Sequence, residues 1–298
     1  MAKRVIALGF FDGVHTGHGR LLEKTVDIAK KTGFLPSVMT YSNHPSEILS
    51  PAPVGLINTM EERCELIREL YGIEDIIVKE FTSEYASLSC ENFFEKIILN
   101  ELNAGYVVAG FDFRFGKGGS GDGETLRSLC EKNGIGCEII GAVMHGGEAV
   151  SSSRIRECIK RGDIAEAAEL LGHYHCRIST VERGRRIGTE IGFPTVNQPM
   201  SGNICIPKYG VYATRVTIGE KNYFGVTNVG IAPTVTDAGI PRAETNILGF
   251  DGDLYGKRIK VEFLGFIREE KKFASKEELS KQIASDIETA NSFCSALF

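Results

Sequence analysis

The sequence lacks several features that would place it in a specialised class of protein. Its eight cysteines include no pair at C-x-x-C spacing, which argues against a zinc site or a redox motif. No apolar run approaches the roughly 18 residues of a membrane-spanning helix, and the N-terminal apolar stretch is too short for a signal peptide. We therefore expect reduced thiols and a cytoplasmic protein.

An excess of positive charge is also missing. The 298 residues carry a formal net charge of -5, which argues against nonspecific nucleic-acid binding because that binding needs a clustered basic surface. With 42% hydrophobic and 24% charged residues, the composition is that of an ordinary globular protein. The length allows two domains. The oligomeric state is left open.

The first half of the chain alternates strands with helices. Strand-like runs such as "SVMTY", "DIIVKEF", "GYVVAGF" and "CEIIGAV" are separated by helical stretches. One of these helices starts at a capping box formed by Thr59 and Glu62. This alternation predicts right-handed crossovers and a parallel, Rossmann-like sheet that binds ligands at the carboxyl ends of its strands.

The second half changes to short strands separated by glycine, proline and asparagine turns. Runs such as "VYATRVTI", "YFGVTNVG" and "RIKVEFLGFI" predict a small antiparallel β-barrel. A C-terminal helix is predicted to begin at the cap Ser275, with Glu278 completing a capping box. We place the boundary after residue 172, giving domains 1–172 and 173–298 without a flexible linker, and expect the domains to touch.

The stretch "GFFDGVHTGH" places His15 and His18 where the first strand gives way to a helix. The free N–H groups and the dipole of a helix start bind anions, and the glycines let the backbone approach a ligand. Imidazoles at this spacing could donate hydrogen bonds to phosphate. Spacing alone leaves two alternatives open: a glycine-rich turn with surface histidines, and a half-formed metal site that includes Asp12.

The stretch "SSSRIR" places three serines ahead of an apparent helix with Arg154 and Arg156 in its first turn. Hydroxyls and arginines at a helix start suit a polyphosphate. The alternative is a serine N-cap with surface arginines. A cap does not explain cations at the positive end of the helix dipole.

The stretch "GFDFRFGKGGSGDG" resembles a P-loop only superficially. Five residues rather than four separate Gly110 from Gly116, and Lys117 is followed by glycine. We interpret it as a mobile glycine-rich loop beside three alternating phenylalanines, which are either core residues or part of a ligand surface.

In the barrel half, "GRRIGTEIGFPTVN" is a second loop compatible with phosphate binding. It is followed by Thr195 and Asn197, whose oxygens suit Mg²⁺. The alternative is a turn at the start of a strand. Glu244, within a later strand, could act as a general base towards a hydroxyl, although such residues usually lie on a solvent face.

Taken together and in order, these stretches resemble the prokaryotic bifunctional riboflavin kinase and FAD synthetase family along essentially the whole chain. The resemblance is carried by "GFFDGVHTGH", "VAGFDFRFG", "SSSRIR", "LLGHYHCRI", "IGFPTVN", "YGVYA", "NVG", "APTV", "DGDLYGK" and "EEKKFAS". It implies an α/β nucleotidyltransferase domain of the HxGH type followed by a flavokinase-type β-barrel with a C-terminal helix.

The resemblance also implies two reactions. Riboflavin and ATP give FMN and ADP, and FMN and ATP then give FAD and pyrophosphate, both with Mg²⁺. The implied partners are ATP, riboflavin and FMN, with neither nucleic acid nor membrane. A related nucleotidyltransferase acting on another alcohol phosphate would leave the barrel unexplained.

Site residues follow from the same resemblance, position by position. ATP contacts in the first domain are expected from Gly9, Phe10, Asp12, His15, His18, Ser152 and Arg156. The loop approaching nucleotide and flavin would contain Gly110, Asp112 and Phe113. In the barrel, the resemblance implies Thr195 and Asn197 as Mg²⁺ and phosphate ligands, Glu244 as the base, and Gly184 and Gly188 in the loop over ATP.

The chain departs from the family pattern at four positions in the kinase half, namely Thr189, Ala232, Asn246 and Gly249. The first two replace arginines, and an arginine aimed at phosphate can be worth a large factor in rate. Arg185 and Arg186 lie close enough in sequence to supply that charge. We expect intact adenylyl transfer and an active kinase; the alternatives are a monofunctional FMN adenylyltransferase and a non-catalytic flavin-binding protein.

Overall fold

The chain forms two compact units. The computed structural model describes residues 2–50, 54–182, 192–231 and 239–295. The first unit comprises Met1–Val54 and Thr59–Ser152, and the second comprises Gly55–Asn58 and Ser153–Phe298. The second unit thus begins before residue 173, and the division into domains 1–172 and 173–298 stays a prediction. No helix in the described ranges combines the length and apolar character needed to cross a membrane.

A five-stranded parallel sheet forms the centre of the first unit, as predicted. Its strands are β1 (Arg4–Leu8), β2 (Leu35–Tyr41), β3 (Asp75–Lys79), β4 (Ala104–Gly110) and β5 (Gly136–Ile140). They lie in the order β3-β2-β1-β4-β5. The chain continues from β1 to one side and later returns to the other side at β4, so these two strands flank the switch point where such sheets bind ligands.

Helices connect these strands. They are α1 (Thr16–Thr32), α2 (Ser46–Leu49), α3 (Met60–Tyr71), α4 (Ser83–Ala86), α5 (Cys90–Phe93), which continues as a π-helix over Phe94–Glu101, and α6 (Gly123–Lys132). The predicted capping box of α3 is confirmed, because the Glu62 N–H donates to Thr59 Oγ1 at 3.2 Å and the Thr59 N–H donates to Glu62 Oε2 at 2.8 Å. A hairpin of β6 (Met144–His145) and β7 (Glu148–Ala149) follows β5.

The second unit contains the predicted antiparallel barrel. Helices α7 (Ser152–Arg161) and α8 (Ile164–Leu171) precede β8 (Cys176–Thr180), β9 (Thr195–Pro199), β10 (Gly210–Ile218), β11 (Lys221–Ile231), β12 (Pro241–Ile247), β13 (Arg258–Arg268) and α9 (Lys276–Ser295). The strand order is β8-β13-β10-β11-β12-β9. The Glu182 N–H donates to the Asn197 carbonyl at 2.8 Å, which brings the two edges together and nearly closes the barrel.

The cap predicted for α9 is present, but its capping box is half formed. The Glu278 N–H donates to Ser275 Oγ at 3.2 Å. The Glu278 carboxylate accepts instead from the Ala274 N–H, at 3.1 Å. The predicted reciprocal bond to Ser275 is therefore replaced by a bond to the residue before the cap.

A ladder of threonine hydroxyls crosses three strands of the barrel. Thr214 Oγ1 on β10 lies 2.9 Å from Thr227 Oγ1 on β11, which lies 2.8 Å from Thr245 Oγ1 on β12. All three side chains are fully buried. Since each hydroxyl can donate and accept, the ladder satisfies polar atoms whose burial would otherwise be costly.

His175 is a buried histidine at the start of the barrel. Its ring stacks on Phe263 with centroids 5.4 Å apart, and neither ring nitrogen has a hydrogen-bond partner among the described residues. Burial, followed by the charges of Arg177 and His173, lowers the pKa of His175 to about 3. The folded protein therefore holds this imidazole neutral well below the pH at which an exposed histidine gains its proton.

This burial predicts a loss of stability in mild acid. Below pH 6.5 the unfolded chain binds a proton at His175 that the folded chain excludes, so the free energy of unfolding falls by ~1.4 kcal/mol per pH unit from this group. Between pH 6.5 and pH 5, the free energy of unfolding measured in urea should fall by ~2 kcal/mol more in the wild type than in His175→Phe. Parallel pH dependences for the two proteins would contradict the assignment.

Candidate functional site

The predicted histidine turn follows β1 and contains an unusual backbone. Phe11 has a φ of 61° and Val14 a φ of 44°, in the left-handed region that residues other than glycine rarely adopt. Such strain is concentrated at functional sites, where the surrounding structure holds it. The glycines in the sequence indicated a turn, but they gave no sign that Phe11 and Val14 would carry the strain.

His15 is the N-cap of α1. Its Nδ1 accepts the backbone N–H of His18 at 3.3 Å. Because Nδ1 is an acceptor, the neutral ring carries its proton on Nε2, and Nε2 is the atom that can donate to a ligand. A Cβ atom on Gly17 would lie 3.0 Å from His15 Cε1, so a larger residue there would crowd the His15 ring.

His18 stacks on His15 with ring centroids 3.6 Å apart and an interplanar angle of 16°. Burial, followed by the charges of His15 and Arg63, lowers the pKa of His18 well below its ordinary value. His18 is therefore neutral at pH 7. The alternative of a metal site with Asp12 is not supported, since the described residues contain no group of three acidic, histidine or cysteine side chains able to hold a metal ion.

A cavity of about 430 Å³ opens beside this turn. The predicted residues that line it are Gly9, Phe10, His15, His18, Gly110, Asp112, Phe113 and Ser152. Asp12 lies behind the lining and is buried, and its carbonyl oxygen accepts a hydrogen bond from Ser152 Oγ at 2.9 Å. The structure therefore gathers the predicted residues of the first unit around one ligand-sized space at the carboxyl ends of β1 and β4.

All three phenylalanines after β4 line the cavity, but they differ in how deeply they are buried. Phe115 belongs to the core, and Phe113 stacks on it with ring centroids 5.8 Å apart. Phe111 lines the cavity and is 53% exposed. Each of the two interpretations of this stretch therefore holds for part of it, and Phe111 is the residue with an apolar face available to a planar ligand.

The serines and arginines of "SSSRIR" are placed differently from the expectation. Helix α7 begins at Ser152, so two of the three serines lie inside its first turn. Arg154 pairs with Glu166 of α8 at 2.7 Å, which explains its position near the helix start. Arg156, in the second unit, is buried and donates from Nη1 to Ser153 Oγ at 3.3 Å. Its contact with ATP stays a prediction.

In the second unit, β12 aligns the predicted kinase residues. Glu244 pairs in register with Asn197 of β9 on one side and with Asn228 of β11 on the other. Directly opposed residues in antiparallel strands share a face of the sheet. Thr195, two residues before Asn197, lies on the same face. The stretch considered as a turn thus continues into a strand, whose oxygen-bearing side chains lie beside Glu244.

A second cavity, of about 300 Å³, is bounded by this face and α9. Thr195, Asn228 and Glu244 contribute polar groups to its lining. Its apolar lining includes Phe193, Val211, Val226, Phe273, Leu279 and Ile283. Glu244 lies on the outer face of the barrel, as most strand glutamates do. Helix α9 packs against this face, so Glu244 lines a cavity instead of facing open solvent. Asn197 itself is buried and lies outside the lining.

Two of the four departures from the family pattern have a local structural explanation. Asn246 pairs in register with Thr195, and its Nδ2 donates to the Pro194 carbonyl at 2.8 Å. Gly249 has a φ of 69°, a conformation that glycine adopts without strain. The other two departures, Thr189 and Ala232, lie outside the described residues, as do Gly184, Gly188, Arg185 and Arg186.

Arg63, which is fully buried in α3, was not among the predicted site residues. Its guanidinium carbon lies 4.1 Å from the centroid of the Phe10 ring, behind the wall of the first cavity. One sequence feature could have indicated it: Arg63 precedes Ile67 by four residues and therefore shares the apolar face of the helix.

Known proteins resemble both halves of this chain. A family model described as FAD synthetase matches residues 1–154, and one described as riboflavin kinase matches residues 171–294. A Bacillus subtilis (strain 168) protein named bifunctional riboflavin kinase/FMN adenylyltransferase is 36% identical, over 99% of this chain and 94% of its own length. An Escherichia coli (strain K12) protein of the same name is 35% identical, over 97% and 92%.

A solved structure is also similar. It is titled as a macrolide-efflux protein from Streptococcus pneumoniae and matches with a TM-score of 0.84 and 32% identity, over 97% of this chain and 94% of its own. Two family models, one for each half, and relatives of more than a third identity over nearly the whole length lead to one conclusion: this chain belongs to the bifunctional riboflavin kinase/FMN adenylyltransferase family.

Proposed function

We propose that the second unit transfers the γ-phosphoryl group of ATP to riboflavin and that the first unit transfers the adenylyl group of ATP to the resulting FMN. The observation that carries the proposal is one ligand-sized cavity in each unit, lined by residues expected for its reaction. The substrates are then ATP, riboflavin and FMN. We also propose a cytoplasmic location, where the thiols stay reduced.

For adenylyl transfer, an FMN phosphate oxygen attacks the α-phosphorus of ATP, and pyrophosphate leaves. His15 donates from Nε2 to the phosphates, and the start of α1 adds its positive dipole end. His18 and Arg156 complete the proposed phosphate contacts. With no covalent enzyme intermediate, positioning and electrostatic stabilisation carry the catalysis. Phe111 offers an apolar face to the flavin ring.

For phosphoryl transfer, the riboflavin 5′-hydroxyl attacks the γ-phosphorus, and ADP leaves. Glu244 takes the hydroxyl proton as this bond forms. The hard oxygen donors that would hold Mg²⁺ belong to Thr195, which lines the cavity, and to Asn197, which is buried two residues further along the same face of β9; the ion would neutralise phosphate charge when bound with ATP. The apolar wall formed with α9 accommodates the flavin ring.

Two time courses test the proposal. The purified chain is incubated with ATP and Mg²⁺, starting either from riboflavin or from FMN, and the flavins are separated by chromatography. FAD from both starting points is the expected result. FAD from FMN without any product from riboflavin would mean an impaired kinase, and flavin binding without turnover from either would leave a flavin-binding protein.

Asn246 is predicted to support the kinase step through its bond to Pro194. Asn246→Leu should lower kcat/KM for riboflavin phosphorylation about fivefold to tenfold, because the loss of a hydrogen bond worth ~1 kcal/mol loosens the start of β9 at Thr195. Asn246→His keeps a donor and should retain most of the rate. FAD formation from FMN by the same variants controls for folding. Equal kinase rates in both variants would contradict the prediction.

A further inference from the structure

Arg63 is the largest fully buried side chain among the described residues. It lies on α3, between the capping-box residue Glu62 and the buried Cys64. Burying a guanidinium away from water is costly unless the structure uses it. Arg63 has no predicted role in either of the two reactions.

The contacts of Arg63 reach two walls of the first cavity from behind. Nη2 donates to the carbonyl oxygen of Tyr41, the last residue of β2, at 2.5 Å. The guanidinium carbon lies 4.1 Å from the centroid of the Phe10 ring, just after β1. Tyr41 and Phe10 both line the cavity, whereas Arg63 does not. A single side chain therefore fixes the ends of two neighbouring strands.

Arg63 keeps its positive charge in this buried position. Burial lowers its pKa to about 10, and the negative charge of Asp12 opposes this shift, so the guanidinium is charged at neutral pH. Nε and Nη1 have no hydrogen-bond partner among the described residues. In a region shielded from water, such a charge acts over a longer distance than one at the surface.

We propose that Arg63 is a positioning residue for adenylyl transfer: it fixes Phe10 and the end of β2 at the cavity wall and supplies a buried positive charge that favours ATP binding there. This inference rests on the proposed function of the first unit. It requires no direct contact between Arg63 and the substrate, since the charge acts through the cavity wall.

Three variants separate the charge from the hydrogen bond. Arg63→Lys keeps a charge and a donor, Arg63→Gln keeps a donor without the charge, and Arg63→Met keeps neither. The matched control is Arg68→Gln on the same helix, where Arg68 is 42% exposed and pairs with Glu74. The KM for ATP and kcat are measured for FAD formation from FMN, with riboflavin phosphorylation by the same preparations as an independent measure of folding.

The expected order of kcat/KM is Lys, then Gln, then Met. Arg63→Lys should stay within about threefold of the wild type, whereas Arg63→Gln should raise the KM for ATP by about tenfold, with a smaller change in kcat. Arg68→Gln should match the wild type. If Arg63→Met fails to fold, the comparison of Lys with Gln still decides. If Arg63 acted through packing alone, Arg63→Lys and Arg63→Gln would have the same KM for ATP, and that result would overturn the inference. A wild type unable to adenylylate FMN would instead overturn the proposed function.

Discussion

Replacement of His18 by alanine is expected to lower the rate of FAD formation from FMN by about 100-fold to 1000-fold. His18 stacks on His15 in the strained turn at the start of α1, and its low pKa keeps it a neutral hydrogen-bonding group. Removing it deletes a preorganised group from the proposed phosphate site. Steady-state FAD formation from FMN, measured by chromatography, checks this value.

The chain provides its own control for this variant. Riboflavin phosphorylation should stay within about twofold of the wild type, because the kinase residues belong to another unit with its own cavity. His145→Ala, in the β6-β7 hairpin of the same unit, is a matched histidine substitution that should leave both activities unchanged. An unchanged rate of FAD formation in His18→Ala would remove His18 from the proposed mechanism.

The second large effect is expected at Glu244. Glu244→Gln keeps the shape of the side chain but cannot accept the riboflavin proton, so phosphorylation should fall by about 100-fold to 10,000-fold. Its position opposite Asn197 and Asn228, in a cavity covered by α9, is the structural reason for expecting more than a surface effect. The measurement is FMN formation from riboflavin at saturating ATP.

Here adenylyl transfer serves as the reference activity. FAD formation from FMN should be unchanged in Glu244→Gln. Glu220→Gln, an exposed substitution in the turn between β10 and β11, should alter neither activity. A Glu244→Gln protein that still phosphorylates riboflavin at the wild-type rate would show that the proton leaves by another route, and Glu244 would lose its assigned role.

Local patterns in the sequence predicted much of the fold. The strand and helix periods predicted the parallel sheet and the barrel, and the capping box at Thr59 predicted the start of α3. These features depend on neighbours within a few residues, so a single sequence contains them. The capping box predicted at Ser275 formed only in part, because Glu278 reaches one residue further back, to Ala274.

Contacts between distant segments could not be predicted in the same way. Arg63 reaches Phe10 and Tyr41 only after α3 packs beside the sheet. Asn246 meets Pro194 only once β9 and β12 are paired. In the sequence, Asn246 was only a departure from the family pattern. The family resemblance predicted the site residues, whereas the contacts that hold several of them in place became visible only in the folded structure.

The threonine ladder has a consequence for how accurately the barrel assembles. A shift of one residue in the pairing of β11 would turn Thr227 to the other face and leave the hydroxyls of Thr214 and Thr245 buried without it. The same shift would move Asn228 away from Glu244. A barrel with this one-residue shift would therefore lose hydrogen bonds between buried hydroxyls and, at the same time, the alignment of the predicted kinase residues. The three buried threonine hydroxyls thereby favour the strand register in which the predicted kinase residues are aligned.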